Sequence, residues 1–410
     1  MFNFSIQGTN VGELKGQVMR VVERLLHRGV RIPNPGSVEI GSEVDIERIA
    51  VEGVTIHAGC RISGKNTLIL PGARLGQEGP VSIENCLVGP FVELRGGFFR
   101  EAVFLARASC GPGSHVREGT ILEEEASIAH TVGLKQTILF PFVTLGSLIN
   151  FCDCFMAGGT DRKNHSEVGS SYIHFNFTPN QDKATPSLIG DVPRGVMLNQ
   201  RPIFLGGQGG MVGPIRLNYG ITSAAGTILR KDELRPNRLI FGSLGKEGNI
   251  EFRPGRFSGT NRLIRNNLIY IGNLLALRQW YSHVRFLFVG ESFPDALLSG
   301  LLLNVRMAID ERKKRLKDLV DKAAVYGEPS VFLEKWQLVE QILGQHLELQ
   351  GNDRLREPFL NAILKKIESA GKNYLAVIKG LEAGDAQLGT AWLQGIVDET
   401  VETTLFELQP

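Results

Sequence analysis

No stretch of about twenty uninterrupted apolar residues occurs in the 410-residue sequence, and the N-terminus lacks a basic segment leading into a long apolar run. The first absence argues against a membrane-spanning helix and the second against secretion. Cysteine is scarce. Cys60, Cys86, Cys110, Cys152 and Cys154 are odd in number and match neither a disulfide framework nor a C-x-x-C metal pair, so a reduced, cytoplasmic chain without a bound metal is expected. An excess of one charge is also missing. Lys plus Arg (45) against Asp plus Glu (43) leave a formal net charge of +2, too little for a global field that would recruit nucleic acid or an anionic membrane.

What is present is a short period. Val38 and Val44, Ile40 and Ile46, Val54 and Cys60, Ile56, Ile62 and Leu68, Val88 and Leu94, Val132 and Ile138, Leu139 and Leu145, and Ile215 and Ile221 each lie six apart. Such a period means that each rung buries its apolar side only by stacking on the next, which is the logic of a solenoid. The spacing predicts a mainly β protein built on a left-handed parallel β-helix. Gly41, Gly76, Gly89, Gly146, Gly169, Gly190 and Gly213 follow an aliphatic residue, as expected at tight corners that a Cβ would crowd. An ordinary sandwich of short strands would alternate with period two, and a stretch such as Val92 to Leu94 fits both patterns.

Three parts follow. Residues 1–37 carry a helical stripe over Val11 to His27, ended by Pro33 and Pro35. The coil is expected over residues 38–250, interrupted by a polar loop at Gly158 to Lys183 and by the Gly-rich Phe204 to Gly213. In a solenoid such insertions project from one face, often the binding face. Residues 251–410 read as a C-terminal all-α domain. There Trp280, Tyr281 and Phe286 read as core, and the run Glu311 to Arg315 as a solvated helix face. Cys152-Asp153-Cys154 on one strand would put both sulfurs on one face and Asp153 on the other, a pattern that suits small buried cysteines better than a metal or a nucleophile.

Several segments carry a family resemblance in sequence order: Leu25 to Val30, Val88-Gly89-Pro90-Phe91-Val92-Glu93-Leu94-Arg95, Glu167-Val168-Gly169 leading to Asn176-Phe177, Leu188-Ile189-Gly190-Asp191, and Met211 to Ile215 through Ala224 to Thr227. Over about residues 15–235 the chain resembles the acetyltransferase half of the bifunctional N-acetylglucosamine-1-phosphate uridyltransferase / glucosamine-1-phosphate acetyltransferase family. The uridyltransferase half has no counterpart in these residues. The resemblance implies acetyl-coenzyme A as co-substrate, an amino sugar phosphate or a UDP-sugar as ligand, and a homotrimer of parallel coils.

By the same resemblance Arg95 contacts a phosphorylated sugar, Lys135 assists it, Asn176 and Phe177 stand where the family has an Asn-Tyr pair, and Ala225 lies on the coenzyme A rung. A planar guanidinium suits phosphate. Arg95 is equally placed to pair with Glu93 or Glu101, Lys135 to be an exposed solubilising residue, and Ala225 to be an ordinary corner residue. The family's general base is a histidine about two dozen positions before the Asn-Tyr pair. A gapless register puts Asp153 there, and a six-residue insertion within Thr160 to His165 puts Ser147 there instead. A carboxylate with an ordinary pKa near 4 is poorly matched to neutral pH. His165 and His174 are therefore the substitute candidates, an imidazole being the usual proton acceptor near pH 7. Two readings stay open: an acyltransferase that uses one of them, and a non-catalytic nucleotide-sugar-binding or scaffold protein that kept the coil and lost the base.

Overall fold

The computed structural model describes residues 21–176, 183–242, 260–325 and 331–408. Its framework is a parallel β-solenoid of about 11 turns. Three parallel sheets form its walls: sheet A, ten strands from Thr55–Ile56 to Leu239–Ile240; sheet B, ten strands from Glu39–Ile40 to Ile228–Leu229; and sheet C, eight strands from Leu68–Ile69 to Arg216–Leu217. In the regular middle, His115 pairs with Gly133 and Gly133 with Asn150, so one coil is close to three hexapeptides.

The period of six becomes ladders of identical inward positions. On sheet B, Ile40, Ile62, Ile83, Phe99, Val116, Leu134 and Phe151 stack coil upon coil, all buried. Sheets A and B show the alternation of walls wetted on one side: strand Arg74–Leu75 is exposed then buried, and so is Glu39–Ile40. Sheet C does not alternate. Strands Ala102–Phe104, Thr120–Leu122, Cys154–Met156 and Ser187–Ile189 are buried at every residue. Strands covered on both faces read as continuous apolar runs, and here the second cover is helical.

That cover is the C-terminal region. Helix α1 (residues 21–28) closes the first coil with Val22 and Leu25, and the part of its stripe before residue 21 lies outside the described residues. A short α2 (Val192–Gly195) interrupts the upper coils. After it come α3 (Thr260–Gln279), α4 (Asp295–Val325), α5 (Val331–Glu334), α6 (Trp336–Gln345), α7 (Asp353–Ala370), α8 (Tyr374–Lys379) and α9 (Ala383–Glu407). α4 lies against sheet C so closely that a Cβ on Gly300 would come within 2.0 Å of Leu87 Cδ1.

Several expectations change. The Gly-rich segment Phe204 to Gly213 does not interrupt the coil, because Phe204–Leu205 and Gly210–Val212 are regular rungs of sheets A and B. Its glycines admit the next coil: a Cβ on Gly206 would lie 2.5 Å from the Ala225 nitrogen. The polar loop shrinks to an antiparallel hairpin, Gly159–Asp161 with Asn164–His165, after which Glu167–Val168 and Ile173–Phe175 rejoin the sheets; residues 177–182 lie outside the described ones. Of the aromatic trio, Trp280 and Tyr281 are core while Phe286 is 59% exposed. Cys152 and Cys154 belong to different sheets, because Asp153 turns the corner between them at φ 58°, a left-handed conformation that Asp tolerates better than most residues.

Candidate functional site

The coil distributes the candidate residues over its three edges. Arg95 and Ala225 follow strands of sheet A, on the A–B edge. Lys135, Asp153 and Asn176 occupy three successive coils of the B–C edge. His165 ends the hairpin between sheets C and A. Phe177 lies outside the described residues.

On the A–B edge, the Arg95 guanidinium donates to Glu93 at 3.0 Å and to Glu78 at 3.3 Å, and not to Glu101. It is part-exposed. Such a pair contributes little to stability, but it holds the planar fork still at the surface. Above it runs a column of small residues, where Gly146 meets Ser170, Gly169 meets Gly207, and Gly206 meets Ala224 and Ala225. Ala225 is exposed at the top of this column.

The B–C edge is a lattice of ion pairs. Lys135 lies 2.7 Å from Glu118, which also accepts from Arg100 at 2.9 Å. Burial alone would raise the Glu118 carboxyl, but the bonds from Lys135 and Arg100 hold it down at about 2. One coil higher, Asp153 is 8% exposed. One of its oxygens accepts from the Asn176 amide at 2.7 Å and the other from Arg312 of α4. Both carboxylate oxygens are thereby engaged, which is the opposite of what a proton acceptor needs.

Arg312 corrects the reading of Glu311 to Arg315 as a solvated face. Its side chain is 2% exposed, whereas Arg315 pairs with Glu311 and Asp318 on the outer side. The signal was present: Leu301, Val305, Ala308, Arg312, Leu316 and Leu319 recur at three-to-four spacing, so Arg312 falls on the stripe that faces the coil.

The histidines differ sharply. His174 sits on sheet B at an inward position, between Phe151 and Met211 in the apolar ladder, and is 1% exposed. Its Nδ1 lies 2.6 Å from the Cys152 carbonyl and its Nε2 2.8 Å from the Ser187 hydroxyl. The carbonyl can only accept, so Nδ1 carries the proton and Nε2 accepts from Ser187. Burial pushes its pKa down to about 4. An imidazole with both nitrogens occupied inside the coil has no path to a substrate. His165 is different: its Nε2 lies 3.9 Å from the Glu167 carboxylate, and its Nδ1 is buried without a hydrogen-bond partner among the described residues.

The cysteines are inert. All five are free and buried; burial lifts the Cys152 thiol to about 11, with the Asp153 charge adding to it. Thiols in that range are not thiolates at neutral pH. Among the described residues no group of three or more His, Cys, Asp or Glu side chains is placed to hold a metal ion, and no helix is long and apolar enough to cross a membrane.

No family model matches the chain. It is 27% identical over 218 residues to the bifunctional protein GlmU of Thermotoga sp. strain RQ2, a match covering 52% of this chain and 42% of the relative. It is 25% identical over 225 residues to that of Thermotoga maritima, covering 52% and 42%. To that of Acinetobacter baumannii it is 28% identical over 229 residues, covering 51% and 41%. The match thus spans less than half the length of these relatives. Similarity over half of the chain, together with the three-walled solenoid, likens this chain to the acetyltransferase half of GlmU.

Proposed function

We propose that the chain is an acyltransferase-like hexapeptide-repeat protein acting on an amino sugar phosphate or a nucleotide sugar in the cytoplasm, with acetyl-coenzyme A as acyl donor. The observation that carries the catalytic form of this reading is the His165–Glu167 pair. Of the two candidate imidazoles, His165 alone is not closed off by hydrogen bonds at both nitrogens: its Nε2 faces the Glu167 carboxylate at 3.9 Å, while its unpartnered Nδ1 is buried, which leaves Nε2 as the nitrogen for a general base. In the reaction, the sugar amine attacks the thioester carbonyl, the C–S bond breaks, and the amine proton passes through His165 to the departing thiolate. Arg95 holds the phosphate and the small column ending at Ala225 receives the extended cofactor on the A–B edge, while Lys135 and Asn176, on the B–C edge, and His165, between sheets C and A, meet them only across the interface between neighbouring copies of the chain.

A second reading is a nucleotide-sugar-binding or scaffold protein without chemistry. What favours it is Asp153: the gapless equivalent of the family's base is clamped by Arg312 and Asn176. A thiol-release assay with acetyl-coenzyme A and glucosamine-1-phosphate, run beside thermal-shift titrations with acetyl-coenzyme A and UDP-N-acetylglucosamine, separates the two. Turnover on glucosamine-1-phosphate should be slow, and whatever acyl transfer occurs should fall about 10²- to 10⁴-fold in His165→Ala. Arg95→Ala should keep the fold and weaken sugar-phosphate binding by about 1.5 to 3 kcal/mol, the worth of a charge-assisted hydrogen bond. Ligand shifts without thiol release would establish the second reading, and neither signal would end both.

We further propose that the chain forms a closed trimer. The helices cover sheet C, which leaves sheets A and B outward, and these carry exposed Phe204 and Leu239 on one wall and Ile173 and Phe175 on the other. Exposed apolar residues on two walls that meet at an angle suit a cyclic assembly. Multi-angle light scattering should give three times the 45.0 kDa chain mass; a monomer at micromolar concentration would sink this reading.

A further inference from the structure

At the seam between coil and helices lies a pocket that the chemistry above does not use. Helix α3 runs into a π-helical turn, Trp280–Val284, and then a 3-10 turn, Arg285–Phe288. Such π turns insert an extra residue and are frequent at functional sites. Here the turn sends Trp280, Tyr281, Val284 and Arg285 all inward.

Arg285 is 1% exposed, with its guanidinium between the rings of Tyr374, 3.8 Å from the centroid, and Phe293, 4.4 Å away. One nitrogen, Nη2, bonds Glu124 Oε1. Its Nε and Nη1, and the second Glu124 oxygen, have no hydrogen-bond partner among the described residues. Behind them the neighbouring Glu123 bonds the Tyr281 hydroxyl at 2.5 Å. Burial, with the Glu124 charge beside it, pushes the Glu123 carboxyl up from its ordinary value.

Arg285 and Glu124 form the floor of a cavity of about 190 Å³, and the exposed residues Arg107, Ser292, Lys372 and Asn373 form its mouth. Buried donors and acceptors are almost always paired, and a guanidinium sandwiched between two rings can be satisfied only at its edges. The charged lining is Arg285, Arg107 and Lys372 against Glu124 and Glu125, an excess of one positive charge. The volume is below the roughly 300 Å³ at which sites for drug-sized ligands begin, so neither coenzyme A nor a nucleotide sugar fits.

We propose that this pocket binds a small oxyanion, a carboxylate or a phosphate monoester, that also carries a hydroxyl or amino group. The anion takes the free Arg285 donors, the hydroxyl or amine donates to the free Glu124 oxygen, and Arg107 and Lys372 guide entry. The helical region thereby gives the solenoid a ligand site separate from the one proposed on its edges.

Calorimetric titration of the full chain with glycerate, glycerol 3-phosphate and inorganic phosphate tests this. One or both of the organic anions should bind one-to-one with Kd below about 1 mM, and which of them does so identifies the anion. The Arg107→Ala, Lys372→Ala double variant changes only exposed residues at the mouth; it should weaken binding about ten-fold or more, while Arg95→Ala leaves it unchanged. No heat from either organic anion at about 10 mM overturns the proposal, as does binding unmoved by the double variant or lost in Arg95→Ala. Inorganic phosphate binding as tightly as the organic anions overturns the role given to Glu124.

Discussion

Arg312→Leu should lower the free energy of unfolding by about 3 to 5 kcal/mol, the cost of leaving one partner of a buried ion pair unmatched. Arg312 and Asp153 are 159 residues apart in sequence and come together where α4 crosses the B–C edge. Without the guanidinium, the Asp153 carboxylate stays buried with only the Asn176 amide to hold it. Urea denaturation should show a fall in the midpoint with little change in slope. The double variant Arg312→Leu, Asp153→Asn removes both charges, and Asn keeps the left-handed corner that Asp153 adopts, so it should recover much of the loss. A single-variant effect under about 1 kcal/mol would show that the pair does not tie the helices to the coil. The effect bears on the proposed function as well, since the same contact immobilises the residue that a gapless register aligns with the family's base.

Acidification should destabilise the chain through His174. Its ordinary value of 6.5 is lowered to about 4 in the fold, so between these values the unfolded chain binds a proton that the folded chain refuses. Stability therefore falls as pH falls from 6.5 to 4, by up to about 3 kcal/mol from this group alone, and changes no further on its account below 4. His283 and His346, also lowered by burial, act in the same sense, so the comparison that isolates His174 is with His174→Gln, whose amide can still reach the Cys152 carbonyl. Glu118 acts lower: its carboxyl contributes stability present above 4.5 and lost as pH falls toward 2. The urea midpoint of His174→Gln should vary less between pH 6.5 and 4 than that of the parent chain. Equal slopes would mean that His174 is not the buried neutral group described.

Much of the framework was legible in the residues. The interval of six gave the coil, because inward positions must stack to be dry, and residues 251–410 read as helical throughout, as α3 to α9 are. The cover over sheet C was also written in the sequence: Ala102-Val103-Phe104-Leu105, Ile138-Leu139-Phe140 and Cys154-Phe155-Met156 are apolar runs where a one-sided wall would alternate. The expectation of glycines at corners that a Cβ would crowd holds at several of the positions named. At Gly169 a Cβ would meet the Gly207 nitrogen at 2.4 Å, Gly190 in addition takes a positive φ of 82°, and non-glycine residues such as Asp153 turn other corners.

The candidate residues were harder to place, since each depends on phase and on distant packing. Whether residue 173, 174 or 175 points inward is set by pairing with Gly210, Met211 and Val212, and a slip of one would exchange buried His174 for exposed Phe175. No local pattern carries that information. The partners of Asp153, Glu123 and Glu124 lie 159, 158 and 161 residues away, on helices whose apolar stripes say that they pack but not against which wall. By itself the sequence determined the repeat, because burial of a short rung is a local matter of period. The tertiary structure decided which side chains meet, because one face of the coil is covered by the helices and two are not, and a charge is stable in such a seam only where a partner from the other element reaches it.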